Sequence, residues 1–188
     1  MKEKYSVALC ALERLRQGNK TYVNSTKCVG DISLDKRRDT FKNGQTPYAV
    51  VVSCSDSRVI PECIFSAGIG DLFVIRVAGN VVDNFQLGSV EYAVKHLGCK
   101  LVVVLGHTGC GAVGSEREQH DGCLQLITDE ILHAVGAETD TTKAVVLNAM
   151  HSVSKVQAHL TDCDDVLVVG ALYHTESGDV EFFSPQVG

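Results

Sequence analysis

The chain has 188 residues, 45% of them hydrophobic and 21% charged, with a net charge of −6. That is the balance of a soluble globular domain long enough to bury its own core, and no apolar run approaches the roughly 18 residues of a membrane helix. The start Met1–Tyr5 lacks the parts of a secretory signal, so the expected location is the cytoplasm, with an organelle matrix as the alternative. Eight cysteines in such a chain point to core thiols and metal ligands rather than to a disulfide framework. The charge is uneven: residues 1–46 carry ten Lys and Arg against five Asp and Glu, and residues 47–188 carry seven against eighteen. The basic segment has no Arg-rich stripe interleaved with aromatics, which argues against nucleic acid. It reads as an arm lying on an acidic surface, that of a partner subunit.

The expected organisation is one domain over 1–188, with a helical arm at 1–46 and an α/β core at 47–188. In the arm, Tyr5, Ala8, Leu9, Leu12 and Leu15 share one helix face that Gly18 is expected to end. Ser33 is placed to cap a second helix that Gly44 closes. A strand follows at 48–53, a short helix at 59–67 with Pro61 in its first turn, and a second strand at Leu72–Arg76. Residues 86–98 read as a helix and 101–106 as a third strand. Two further helices are expected over 123–136 and 140–160. A fourth strand spans Val166–Leu172, and a turn at Glu176–Asp179 folds a last strand, Val180–Phe183, back beside it. Strands alternating with helices predict a mostly parallel sheet of about four strands, an antiparallel edge strand and flanking helices.

Two short islands carry the chemistry. Cys54-Ser-Asp56-Ser-Arg58 follows the run Ala49–Ser53, and His107-Thr-Gly-Cys110 follows Leu101–Gly106. Runs rich in β-branched residues on both faces are strands buried in a parallel sheet, and chemistry in such sheets gathers past the carboxyl ends of the strands. Cys54, His107 and Cys110 are three ligands of the kind zinc prefers, with no fourth Cys or His beside them. Three protein ligands and an open position mark a catalytic zinc rather than a structural one. Two thiolates cancel the ion's charge and weaken it as a Lewis acid, so its water needs help from neighbours. Asp56 can accept a hydrogen bond from that water, and Arg58 can fork onto Asp56 and hold it off the metal.

These islands, with Gly44–Pro47, Gly70–Arg76, Ala78–Asn80, Ser89–Val94, Gly106–Ala112 and Val169–Tyr173, resemble the β-class carbonic anhydrases over roughly residues 40–185. The resemblance implies one zinc ion per subunit on Cys54, His107 and Cys110. It implies catalysis by Asp56 and Arg58, which orient zinc-bound hydroxide for attack on carbon dioxide. It also implies a substrate pocket of Gln45, Phe73, Ala78, Tyr92 and Gly111, and a homodimer, with pairing into tetramers left open, whose amino-terminal helices wrap the partner and whose pocket lies at the interface. The chain departs from the pattern at Val77, where many members have Asn, and at Ala78, which is smaller than the branched residue of the plant members. A roomier pocket makes carbonyl sulfide or carbon disulfide the alternative substrates of a zinc hydrolase. A non-catalytic zinc protein with a closed site is the second alternative. Some members of the class rest with the Asp on zinc, stabilised by bicarbonate near a Trp. That position is Val51 here and the chain has no Trp, so the open arrangement with Asp56 on Arg58 is expected.

Overall fold

Ala49–Ser53, Leu101–His107 and Leu167–Tyr173 form strands β1, β3 and β4, and every residue in them is buried. Val and Leu alternate to the two faces of such strands, so helices must cover both sides. A computed structural model of the protein describes residues 3–115 and 117–183 and shows this arrangement. With β2 (Leu72–Arg76) and β5 (Val180–Phe182), the strands make one sheet in the order β2-β1-β3-β4-β5. All neighbours are parallel except β5, which runs antiparallel to β4. The ends of the expected domain, residues 1–2 and 184–188, lie outside the described residues.

One face of the sheet packs Ala49, Val51, Leu101, Val103 and Val169 against helix α1 (Ser6–Val23) and the short α3 (Pro61–Ile64). The other face packs Val50, Val52, Val102, Val104 and Val168 against α4 (Asn84–Lys95) and α7 (Thr141–His159). Two more helices, α5 (Gly111–Gly114) and α6 (Cys123–Val135), close the carboxyl end of the strands, where Val113, Ile131 and Val135 join a third cluster containing Cys54 and Cys110. Among the described residues, no helix is long and apolar enough to cross a membrane.

The arm differs from expectation at Gly18: α1 runs on through it to Val23. Gly18 does not end the helix; it lets the helix approach α3, because a Cβ there would overlap the Phe65 carbonyl. α1 buries Ala8, Ala11, Leu12 and Leu15 on the sheet of its own chain. Small residues at 8 and 11 permit that close seat. The basic arm also finds acidic partners on its own body. Arg14 lies 2.9 Å and Lys36 3.4 Å from Asp71, and Lys4 lies 2.8 Å from Asp164. Asp71 further accepts the Gly68 amide at 3.1 Å, while the Arg14 guanidinium stacks over Tyr48 at 3.8 Å. The second arm helix, α2 (Leu34–Asn43), is capped as expected by Ser33, which accepts the Lys36 amide at 3.1 Å. It buries nothing, and Phe41 on it is 93% exposed.

Gly18→Ala sets helix propensity against packing. Alanine gains about 1 kcal/mol over glycine inside a helix, but here its methyl must displace a backbone carbonyl. The packing cost wins: the urea midpoint is expected to fall by the equivalent of about 1–3 kcal/mol. A raised midpoint would show that α1 stands clear of α3.

Candidate metal centre

β1 and β3 are hydrogen-bonded neighbours, with Ser53 opposite Leu105. Cys54 therefore leaves β1 beside the end of β3, where His107 is the last strand residue and Cys110 follows after a turn. That turn needs Gly109 at φ 66°, a backbone conformation that costs glycine little. The sulfur atoms of Cys54 and Cys110 lie 4.0 Å apart. Together with a His107 ring nitrogen they form a fully buried trio whose ligand atoms all lie within 4.8 Å of one another, the one such group among the described residues.

His107 supplies the test of metal fit. Its Nδ1 lies 3.1 Å from the Thr108 carbonyl oxygen, which can only accept, so Nδ1 carries the proton. Nε2 then presents a lone pair, and it is buried with no hydrogen-bond partner. A buried acceptor without a partner is costly, and here it faces two thiols. The donor set N, S, S suits zinc. The Thr108 carbonyl on the far nitrogen is the kind of outer contact that fixes a metal-binding imidazole.

The thiols do not share protons evenly. The Cys54 thiol is lowered from its ordinary value. Its contact with Cys110 is the main cause; His107 and the backbone amides of Asp56 and Gly79, at 3.4 and 3.3 Å, assist, and burial opposes. The Cys110 thiol is pushed up by the same contact and by burial. Two thiols this close resist losing both protons, and a cation between the sulfurs would stabilise the pair of thiolates.

Asp56 stands at the rim of the trio, its Oδ2 3.9 Å from His107 Nε2. Arg58 forks onto it, Nε to Oδ1 at 2.9 Å and Nη2 to Oδ2 at 2.7 Å, and the Arg58 amide adds a third bond at 2.9 Å. These bonds hold the Asp56 carboxyl well below the usual carboxylate range, with burial opposing. Arg58 Nη2 also donates to the Gly109 carbonyl at 2.9 Å, which ties the first island to the second. Asp56 and Arg58 are thus paired with each other at the edge of the trio.

Gly111 follows Cys110 directly, and Ala78 begins a single 3-10 turn, Ala78–Asn80, that passes Cys54. Phe73 and Tyr92 meet each other, ring centroids 6.1 Å apart. Phe73 pairs with Val50, three residues before the end of its strand, so the aromatic pair sits roughly 10 Å back from the metal trio along the sheet. Gln45 is exposed between α2 and the start of β1, at the opposite end of that strand from Cys54.

Several further residues support the site; of these Gly79, Asn148 and Ser152 had no role assigned from sequence, while Arg76 matches an Arg of the family's noncatalytic bicarbonate site. Gly79, at φ 67°, turns its amide to Cys54, and a Cβ on it would lie 2.7 Å from Ile131. Buried Asn148 on α7 donates to the Gly79 carbonyl at 2.7 Å, and Ser152 to that of Asn80 at 3.2 Å. Arg76 reaches from β2 to the carbonyls of Cys54 and Asp56 at 3.2 and 2.8 Å. Polar residues one turn apart on an otherwise apolar helix face, Asn148 and Ser152, were the available signal.

A family model described as carbonic anhydrase matches residues 49–180. A carbonic anhydrase of Mycolicibacterium smegmatis is 35% identical, over 94% of this chain and 93% of its own. Carbonic anhydrase 2 of Mycobacterium tuberculosis is 46% identical over 57% of this chain and 51% of its own. Among solved structures, a β-carbonic anhydrase of Coccomyxa in complex with acetazolamide aligns with a TM-score of 0.67 at 28% identity, covering 78% of each chain. The β-carbonic anhydrase CafA of Aspergillus fumigatus aligns with a TM-score of 0.66 at 27% identity, covering 80% of this chain and 81% of its own.

Proposed function

The chain belongs to the β-carbonic anhydrase family, and from that premise we propose that it catalyses the reversible hydration of carbon dioxide to bicarbonate and a proton, using one zinc ion per subunit. Cys54, His107 and Cys110 would hold the zinc. When bound, zinc supplies the Lewis acidity that makes water a nucleophile near neutral pH. Asp56, ionised and fixed by Arg58, would accept a hydrogen bond from that nucleophile and so orient it toward the substrate carbon. The fork from Arg58 would also hold Asp56 back from the metal. The single observation that carries the reading is the unpartnered, buried His107 Nε2 facing two thiols, beside a forked Asp56–Arg58 pair.

The rest of the pocket comes from a second copy of the chain in a homodimer. Gln45, Phe73 and Tyr92 lie toward the amino-terminal end of the sheet, away from their own trio, and Tyr92 is half exposed. Phe85 and Leu126, 89% and 70% exposed, offer apolar surface of the sort that subunit contacts cover. Across the interface, the Gln45 amide can donate to a substrate oxygen while Phe73 and Tyr92 exclude water.

The test is stopped-flow carbon dioxide hydration on protein of measured zinc content. Activity is expected to rise between about pH 7 and 9 as the water loses its proton. Asp56 does not produce that rise, because Arg58 keeps it ionised throughout the window. One zinc per chain with no hydration at any pH would favour a non-catalytic zinc protein. Faster turnover of carbonyl sulfide or carbon disulfide would favour the alternative hydrolase, for which the small Ala78 leaves room.

A further inference from the structure

Outside the metal centre, a second pair of cysteines, Cys28 and Cys63, lines one cavity. The connector between α1 and α2, residues 24–33, carries Cys28, and α3 carries Cys63. Cys28 is exposed and Cys63 partly buried, and both line one cavity of about 440 Å³ with Tyr22, Lys27, Ile60 and Tyr173. Burial first, and then the adjoining Cys28 thiol, push the Cys63 thiol up to about 11. The backbone around the pair is pinned. Ser66 donates to the Gly18 carbonyl at 2.9 Å and the Ile69 amide to that of Asp31 at 3.0 Å. Gly30 and Gly68 are packed so tightly against Ala67 and Asp31 that neither has room for a Cβ. The connector is therefore held with its thiol beside α3 before any bond joins them.

We propose that Cys28 and Cys63 are a redox-active pair that peroxide converts to a disulfide, fastening the connector to α3. Cys28 is the sulfur an oxidant reaches from solvent. As thiolate it attacks one peroxide oxygen, the O–O bond breaks, and Cys28 becomes a sulfenic acid while the departing hydroxide takes a proton to become water. Cys63 then attacks the Cys28 sulfur, and its proton leaves with the hydroxyl group as a second water. Two thiols and one hydrogen peroxide thus give one disulfide and two waters. Cys63 gives up its proton as it attacks, because the thiolate is the nucleophile. The bond would close a loop from residue 28 to residue 63 that contains β1, Cys54 and the Asp56–Arg58 pair. Such a closure restricts the unfolded chain and stabilises the folded one.

The experiment treats zinc-loaded protein with stoichiometric hydrogen peroxide, alkylates the remaining thiols and maps the digest by mass spectrometry without reduction. The expected product is a peptide linking Cys28 to Cys63, two hydrogens lighter than the reduced pair and released by a dithiol, with zinc retained. The thermal midpoint is expected to rise by about 5 °C and to fall back on reduction. Cys28→Ser should abolish the linked peptide and the rise in midpoint while leaving the reduced protein's midpoint and zinc content unchanged. Cys28 recovered as sulfinic acid beside unmodified Cys63, a Cys54–Cys110 link in its place, or a Cys28 cross-link between two chains would each overturn the proposal. These readouts do not depend on carbon dioxide hydration, so the pairing and the catalytic reading stand or fall separately.

Discussion

Cys110→Ser protein is expected to purify without zinc and with carbon dioxide hydration lowered by at least about three orders of magnitude, because the nucleophile depends on the metal. The hydroxyl would occupy the same buried space, so the loss reflects chemistry and not packing. A serine hydroxyl gives up its proton far less readily than a thiol and is a poor zinc ligand. Cys54→Ser should behave alike, with the amides of Asp56 and Gly79, which now point at sulfur, left to donate to the hydroxyl oxygen. Circular dichroism should stay native, since the strands beneath the site are packed independently of it. Metal analysis decides the matter: full zinc occupancy in Cys110→Ser would remove Cys110 from the ligand set.

Asp56→Asn separates orientation from binding. The variant should keep its zinc, because Asp56 lies outside the ligand trio, and lose about 10–100-fold in kcat/KM. An amide has one acceptor oxygen, so it cannot take both Arg58 bonds and the bond from the Arg58 amide that the carboxylate accepts at two oxygens. Its NH2 would face a guanidinium or turn toward the nucleophile, and neither orients a lone pair. The pH profile of the remaining activity should keep its alkaline rise. Unchanged kcat/KM at full zinc content would rule out a catalytic part for the pair.

The parts of the fold that the sequence made legible are those in which burial and local pattern say the same thing. Val50–Val52 and Val102–Val104 can only be two-faced strands, and islands that follow such strands directly must share the sheet's carboxyl edge. Ser33 was readable as a cap because its hydroxyl acts on a neighbour three residues away. The errors arise where a distant partner decides. Gly18 looks like a helix end until the Phe65 carbonyl lies against it. Residues 78–80 and 111–114 form single turns too short for periodicity to register. Asn148 gains a role only because α7 crosses the back of the turn next to Cys54. The placement of Phe73 and Tyr92 away from the trio follows from strand register, which a residue pattern alone does not contain.

Asp71 binds one cation from each arm helix and a backbone amide at the turn before β2. Two helices that share no apolar core are thereby coupled through a single carboxylate. Concentrated salt, which screens such contacts beyond roughly 3 Å at 1 M, should loosen the grip on both at once while α1 keeps its apolar seat. Amide hydrogen exchange would then divide the arm. Protection along α2, which buries nothing, should fade with ionic strength, whereas protection around Leu15 should track global unfolding. The arm would thus respond to its ionic surroundings through one helix and to the integrity of the sheet through the other.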